Sequence, residues 1–373
     1  MKYDAIIIGG GLAGLTTAIH LSKIGYTVAV VEKHAYPRHK VCGEYVSNEV
    51  VPYINWLDID LIEKTQPISH FVFVSHSGKS IGCTLDLGGF GISRYLMDDI
   101  FYRKAVANGV IVYHQTVTSA DFTADAFSIS LSDGSSLKSR IAIGAFGKRS
   151  NLDQQLDRDF IKKKSHWLAV KSHYKGFYPD DLVGLYHFDG GYCGVSNVEN
   201  HTVNICYITS YTSFKRYKNT DDFQQEILNR NPLLKEVLDN MQPVFEKPLT
   251  ISQISFDSKP CVENHMLMVG DTAGLIHPLC GNGMAMAIQS AKLAAEVVQQ
   301  FLIGKITREQ MENNYAGLWK SNFKARLRNG RFLSALLRSK SMSRLLIGLL
   351  SKVPGLLAAI TKQTHGSYIK VPN

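Results

Sequence analysis

The chain has 373 residues, 45% of them hydrophobic and 20% charged, with 41 Lys+Arg against 32 Asp+Glu. That balance excludes a disordered or collagen-like chain, and the length allows a large buried core in two or three domains. The net charge of +9 is unevenly placed: Asn313 to Asn373 holds eleven basic residues and no acidic one, leaving 30 basic and 32 acidic groups in residues 1–312.

Six scattered cysteines (Cys42, Cys83, Cys193, Cys206, Cys261 and Cys280) make no disulfide framework and no CxxC metal pair. A reducing, cytoplasmic setting without a metal is expected. The N-terminus does not read as a signal peptide. The apolar stretch Leu345–Ile360 is broken by Lys352 and Pro354 and is too short to span a bilayer.

In chain order, Ala5-Ile6-Ile7-Ile8 reads as a buried parallel strand, followed by glycines and a helix over 12–24 closed by Gly25. Thr27–Val31 is a second buried strand, completing a βαβ unit. Short strand-like runs punctuated by Gly, Asp and Asn fill 68–91 and 167–208, which predicts an antiparallel sheet. A helix is expected near Tyr95–Asn108, strands near Val110 and Ile141, and a helix over Asp222–Asn240. Met266–Val269 is a late buried strand, followed by a helix over Gly283–Leu302 and a basic helical tail.

Gly9-Gly10-Gly11-Leu12-Ala13-Gly14 satisfies G-x-G-x-x-G between a strand and a helix. Gly9 permits the tight turn, Gly11 lets backbone approach a pyrophosphate, and Gly14 lets helix pack on strand. Glu32 ends the next strand, where a carboxylate accepts ribose hydroxyls and disfavours a 2′-phosphate. The nucleotide should therefore be FAD or NAD.

The later run Gly270-Asp271, with Pro278 and Gly281-Asn282-Gly283-Met284, resembles the glutathione-reductase-type FAD flavoproteins. Within them it is similar to the para-hydroxybenzoate hydroxylase/geranylgeranyl reductase superfamily. The resemblance implies that Gly270 and Asp271 meet the ribityl and pyrophosphate region, and that Pro278, Gly281, Asn282, Gly283 and Met284 bring a helix N-terminus to the flavin. Pro37–Glu44 resembles the P-x-x-K-x-C-G-[EG] segment of geranylgeranyl reductases, which implies that Arg38, Lys40, Cys42 and Gly43 line the flavin. Ser93–Asp98 resembles the helix start that brings Arg94 to it. By the same likeness Leu12, Ala13, Lys33 and Gly147 join the cofactor site.

Two departures matter. Phe146 stands where hydroxylases of this superfamily carry an acid, which argues against efficient hydroxylase-style NAD(P)H reduction. Gly190–Ser196 lacks the Trp and Pro of the relatives' aromatic segment, which argues against a halogenase. Cys42, His277 and Tyr192 are the candidate catalytic residues; each also has a packing role as its alternative.

The fold expected is α/β: a Rossmann-like FAD-binding domain (1–67, 92–165 and 255–302), an antiparallel β-sheet substrate domain (68–91 and 166–254), and a basic helical C-terminal region (303–373). The expected activity is hydride transfer from flavin N5 to C=C bonds of an isoprenoid or lipid-like substrate. NAD(P)H or another reductant would be a transient electron donor. The alternatives are a monooxygenase acting on an aromatic or polyketide-type substrate, and a membrane-associated electron-carrying flavoprotein.

In the tail, Lys320, Lys324, Arg328 and Arg331 form one helical stripe, opposite Leu318, Leu333, Leu336 and Leu337, with Gly330 a possible break. Region 313–360 could meet an anionic membrane surface on the cytoplasmic side, or cap the substrate domain with a solvated basic face. Nucleic acid is not an expected partner: the tail offers few rings for stacking, among them Trp319, Phe323, Phe332 and Tyr368, and no known module.

Overall fold

The computed structural model describes residues 2–217, 219–338, 348–350, 352–353, 355–364 and 366–372. Lys340, Arg344 and the start of the apolar run Leu345–Ile360 lie outside the described residues.

β1 (Lys2–Ile8), α1 (Leu12–Lys23) and β2 (Val28–Val31) form the opening unit, with Ala5 opposite Val28 and Ile8 opposite Val31 in parallel register. Residues 5–8 and 28–31 are buried, as strands covered on both faces must be. β3 (Tyr45–Ser47), β4 (Gln66–Val74) and β5 (Ser80–Gly91) then enter a second sheet. The chain returns through α2 (Arg94–Ala107) and β6 (Ile111–Tyr113) to an antiparallel meander of β7 (Val117–Thr123), β8 (Ala126–Leu131) and β9 (Ser136–Gly144). β10 (Trp167–Lys175), β11 (Leu182–Phe188), β12 (Gly191–Val198) and β13 (Thr202–Ser210) extend the second sheet. After α3 (Thr220–Glu226) and α4 (Pro232–Asp239), β14 (Gln242–Pro243) and β15 (Leu249–Ser252) finish it. β16 (Val262–Glu263) and β17 (Met266–Met268) return to the first sheet, followed by α5 (Gly283–Leu302), α6 (Arg308–Arg338) and α7 (Leu356–Thr364).

The first sheet runs β16-β17-β9-β1-β2-β6, with β8 and β7 added beside β9. Its central neighbours are parallel, and Gly144 of β9 is level with both Ile8 of β1 and Met268 of β17. Three loops therefore leave one carboxyl edge together: Gly9–Gly11, residues 145–150, and residues 269–282. That edge is where open α/β sheets bind ligands. The second sheet runs β14-β10-β13-β12-β11-β4-β5-β3, with β15 also on β10, and only its β11–β4 pair is parallel.

The α/β architecture with a helical C-terminal segment is as expected, but two local expectations change. The helix foreseen over Asp222–Asn240 is two helices, because Pro232 starts a new one and lacks the N–H an interior position needs. Asn231 caps it, its Oδ1 accepting from Leu234 N at 3.2 Å, while its Nδ2 donates to the carbonyls of Ser75 and His187. In the tail, Leu318 is exposed; the inward line of α6 is Met311, Tyr315, Trp319 and Phe323, at four-residue steps. The aromatic rings carry more apolar area than the leucines and set the buried face. Lys320, Lys324, Arg328 and Arg331 are exposed, and α6 passes through Gly330 unbroken.

Candidate active site

Gly9 has φ +107°, and a Cβ there would collide with the Ala145 carbonyl; one at Gly14 would meet the carbonyl of Gly9. Gly11 differs: a Cβ on it would meet nothing within 4 Å, so it faces open space. Gly11 is the N-cap of α1, no side chain caps that helix, and its first turn has no acidic residue. Its positive end is free for an anion. Glu32 is held against the turn, accepting from Gly10 N at 2.9 Å and His34 N at 3.0 Å. Each carboxylate oxygen has more than one lone pair, which leaves capacity for ribose hydroxyls. Tyr36 donates to the Gly10 carbonyl and stacks on Tyr102 at 4.4 Å.

The second glycine cluster sits on the first. A Cβ on Gly270 (φ +59°) would lie 2.9 Å from the Ala13 Cβ, and Gly270 N donates to Ser290 Oγ of α5 at 2.9 Å. Residues far apart in sequence, Ala13 and Gly270, thus close one wall. Thr272 Oγ1 accepts from Gly147 N at 2.8 Å, and Lys259 Nζ donates to the carbonyls of Lys148 and Asp271, each at 3.0 Å. Burial brings the Lys259 ammonium down to about 8. Arg158, fully buried, pairs with Asp153 at 2.9 Å and donates to the Thr272 and Pro260 carbonyls. Beyond a turn at Pro278–Cys280, Gly281 is left-handed (φ +61°) and Asn282 begins α5, which again has no side-chain cap and no acid in its first turn. Two unneutralised helix N-termini therefore serve one cleft.

Between them lies a buried charge cluster. Arg94 grips Asp98 through Nε and Nη2 at 2.8 and 2.9 Å, and Lys40 reaches the same carboxylate at 2.7 Å. Burial would raise the Asp98 carboxyl, but Arg94 and Lys40 hold it below the usual range. Glu44 accepts from Arg94 N at 2.7 Å, Lys171 Nζ at 2.6 Å and His173 Nε2 at 2.7 Å. Against burial, His173 and Lys171 keep it below its ordinary value. Asn204 Nδ2 donates to the carbonyls of Gly43 (2.9 Å) and Cys42 (3.3 Å), fixing that loop between the sheets. Cβ atoms on Gly43 and Gly147 would also meet nothing within 4 Å.

A cavity holding about 1020 Å³ of empty space opens between Cys42–Gly43 and Pro278–Gly281. Tyr45, Phe71, Leu185, Tyr192, Ile208 and Leu279 are among its walls. Burial pushes the thiols of Cys206 and Cys280, also in its lining, up to about 12. A second apolar cavity of about 470 Å³ shares Phe71, Leu185, Leu279 and Thr361 with the first and is closed by Leu333 and Leu337 of α6 and Leu357 and Ile360 of α7.

This geometry has known counterparts. Residues 4–40 match the family model described as FAD dependent oxidoreductase. The chain is an FAD-dependent oxidoreductase. Over 346 residues the oxidoreductase is 24% identical to a menaquinone reductase of Mycobacterium tuberculosis, covering 84% of this chain and 80% of the relative. It is 23% identical over 342 residues to a digeranylgeranylglycerophospholipid reductase of Methanococcus vannielii, covering 86% and 82%. A flavin-dependent brominase shares its fold with a TM-score of 0.81 at 19% identity, covering 98% of this chain and 93% of the other.

The open cradle fits FAD: two uncapped helix ends face it, and Gly11, Gly43 and Gly147 leave unfilled the places where side chains would stand. Of the residues singled out from sequence, Leu12, Ala13, Asn282 and Met284 are buried in the helix starts, while Lys33 is exposed. Arg38 is half-buried beside the cluster of Lys40 and Arg94. Tyr192 and His277 are joined at 3.2 Å, and Cys42 and Cys280 both line the cavity. Asp98, readable from sequence as a helix-start carboxylate four residues from Arg94, proves to be that residue's partner. The sequence reading missed Tyr36, Arg158 and Lys259, which act through partners farther along the chain.

Proposed function

We propose that this oxidoreductase reduces carbon–carbon double bonds of a hydrophobic, isoprenoid or lipid-like substrate. One observation carries the reading: the space beside the cofactor cradle is apolar and continues into a second apolar cavity under the tail. FAD, when bound, supplies the hydride at N5, and NAD(P)H or another reductant restores it. Gly11 and the α1 N-terminus would take the pyrophosphate, Glu32 the adenosine ribose, Asp271 the ribityl region and the α5 N-terminus the flavin's pyrimidine edge. Arg94 and Lys40, both paired with Asp98, would line the cofactor with a single net positive charge. The relatives named as reductases of menaquinone and of an isoprenoid phospholipid support a greasy substrate.

The exposed stripe Lys320, Lys324, Arg328 and Arg331, with exposed Phe332 beside it, supports docking on an anionic membrane surface. No helix among the described residues is long and apolar enough to cross a membrane.

The test is incubation of the dithionite-reduced holoenzyme with lipid extract, with and without oxygen. A gain of two hydrogens in either atmosphere supports reduction. A gain of one oxygen atom, seen only in air, replaces this reading with monooxygenation.

A further inference from the structure

Protonating carbon inside an apolar cavity requires an acid that can be recharged without opening the cavity to water. The walls of this one contain several titratable groups, and one of them leads out. Tyr192 Oη lies 3.2 Å from His277 Nδ1, and His277 Nε2 lies 2.7 Å from Ser334 Oγ. The three residues come from β12, the loop before α5, and α6, and their exposures are 7%, 3% and 6%. Tyr192 lines the apolar cavity. Tyr192 and Ser334 both line a third cavity, more polar than the first, with Arg216, Arg230, Asp189 and Ser213 in its walls. Ser334 borders only the more polar cavity and Tyr192 borders both, so the chain of hydroxyl, imidazole and phenol leads from the more polar cavity to the apolar one.

Local packing keeps that chain in line. Trp167 and Phe256 flank the His277 ring at centroid distances of 5.6 and 4.4 Å and exclude solvent from its faces. Gly330, one helical turn before Ser334, presses α6 onto the same loop: a Cβ there would lie 3.0 Å from Cys280 Sγ and 3.5 Å from the His277 Cβ. The small residue at 330 is what lets Ser334 approach Nε2. Burial holds the Tyr192 phenol well above its ordinary value, so it stays protonated until a carbanion-like centre forms beside it.

We propose that Ser334, His277 and Tyr192 form a proton relay from the polar cavity to the substrate, with Tyr192 as the donor to carbon. The proposal rests on the reductase reading. Saturating one double bond takes a hydride, whose electron pair comes from the reduced flavin, and a proton. Tyr192 breaks its O–H bond to form the new C–H bond and takes the proton of His277 Nδ1. His277 takes the proton of Ser334 at Nε2, and Ser334 takes one from water in the polar cavity. Substrate is reduced, flavin is oxidised, and the imidazole changes tautomer without carrying charge.

The test uses the full-length holoenzyme, reduced with dithionite under anaerobic conditions and mixed with geranylgeraniol in detergent micelles, with reoxidation of the flavin followed in H2O and D2O. Tyr192→Phe should slow reoxidation about 100-fold, the scale of a lost general acid, with FAD and geranylgeraniol affinities unchanged. Ser334→Ala should slow it less and lower the solvent isotope effect, and Ser334→Thr should restore both. Wild-type rates and isotope effects in Tyr192→Phe and Ser334→Ala would overturn the relay. If the wild-type enzyme leaves geranylgeraniol and lipid extract unreduced, the reductase reading fails, and histidine ¹⁵N spectra decide the relay separately. Tyr192→Phe should then shift Nδ1 of His277 alone and Ser334→Ala Nε2 alone. Identical spectra in both variants would refute the chain.

Discussion

The two sides of the flavin cleft are built by opposite means. On the side of the first sheet, binding capacity comes from backbone and from charges already paired: bare helix ends, Glu32 against Gly10, and Asp98 between Arg94 and Lys40. On the side of the second sheet it comes from apolar side chains, with Phe71, Leu185, Val195 and Ile208 enclosing space. Polar groups on the first side hold one another and have few alternatives, whereas apolar walls tolerate exchange at similar volume. Damage should therefore be large and structural on the cofactor side, and modest and specific to substrate on the other.

The comparison is broken most severely at Asp98. Asp98→Ala leaves Arg94 and Lys40 buried beside each other without a counter-charge, which should cost about 3–5 kcal/mol in urea unfolding of the apoprotein. A loss below about 1 kcal/mol would show that the cluster is not a structural unit. Next in size is Lys259. Its folded pKa of about 8 lies below the unfolded value of 10.5, so the unfolded chain binds more protons between these limits and stability rises with pH there. Below pH 8 the full penalty stands, on the order of 3 kcal/mol. Lys259→Met should flatten that rise, seen by comparing denaturation midpoints at pH 8 and pH 10.

The glycines sharpen the contrast within one loop. Gly14→Ala, whose Cβ meets the Gly9 carbonyl, should lose about 1–3 kcal/mol of apoprotein stability. Gly11→Ala, whose Cβ enters open space, should leave apoprotein stability within about 0.5 kcal/mol yet weaken FAD binding, measured by flavin fluorescence. The smallest effect belongs to the exposed stripe of α6. Reversing Lys324 and Arg328 to Glu should not alter the melting temperature, but should weaken binding to phosphatidylserine vesicles by about 1 kcal/mol per charge. Unchanged vesicle binding would reduce the stripe to a solvated face.

Local rules made the opening βαβ unit and the start of α5 readable, since glycine turns and helix ends answer to a few neighbouring residues. The break at Asn231–Pro232 was equally local and followed from the dipeptide. Arg158 and Lys259 were harder: each is explained by partners such as Thr272 or Lys148, which the fold supplies and spacing does not. The β7–β8 hairpin escaped notice because its strands alternate weakly around polar positions such as Ser119, Asp121, Ser128 and Ser130. Trp319 and Phe323, offered by the sequence as stacking rings, are core residues because α6 turns its aromatic line inward.

Leu279 lines all three cavities: the one beside the cradle, the one beneath the tail, and the polar one. For inhibitor design that makes a single side chain a crossroads. A compact apolar molecule seated against it would reach the space beside the cradle, the space beneath the tail and the more polar cavity at once.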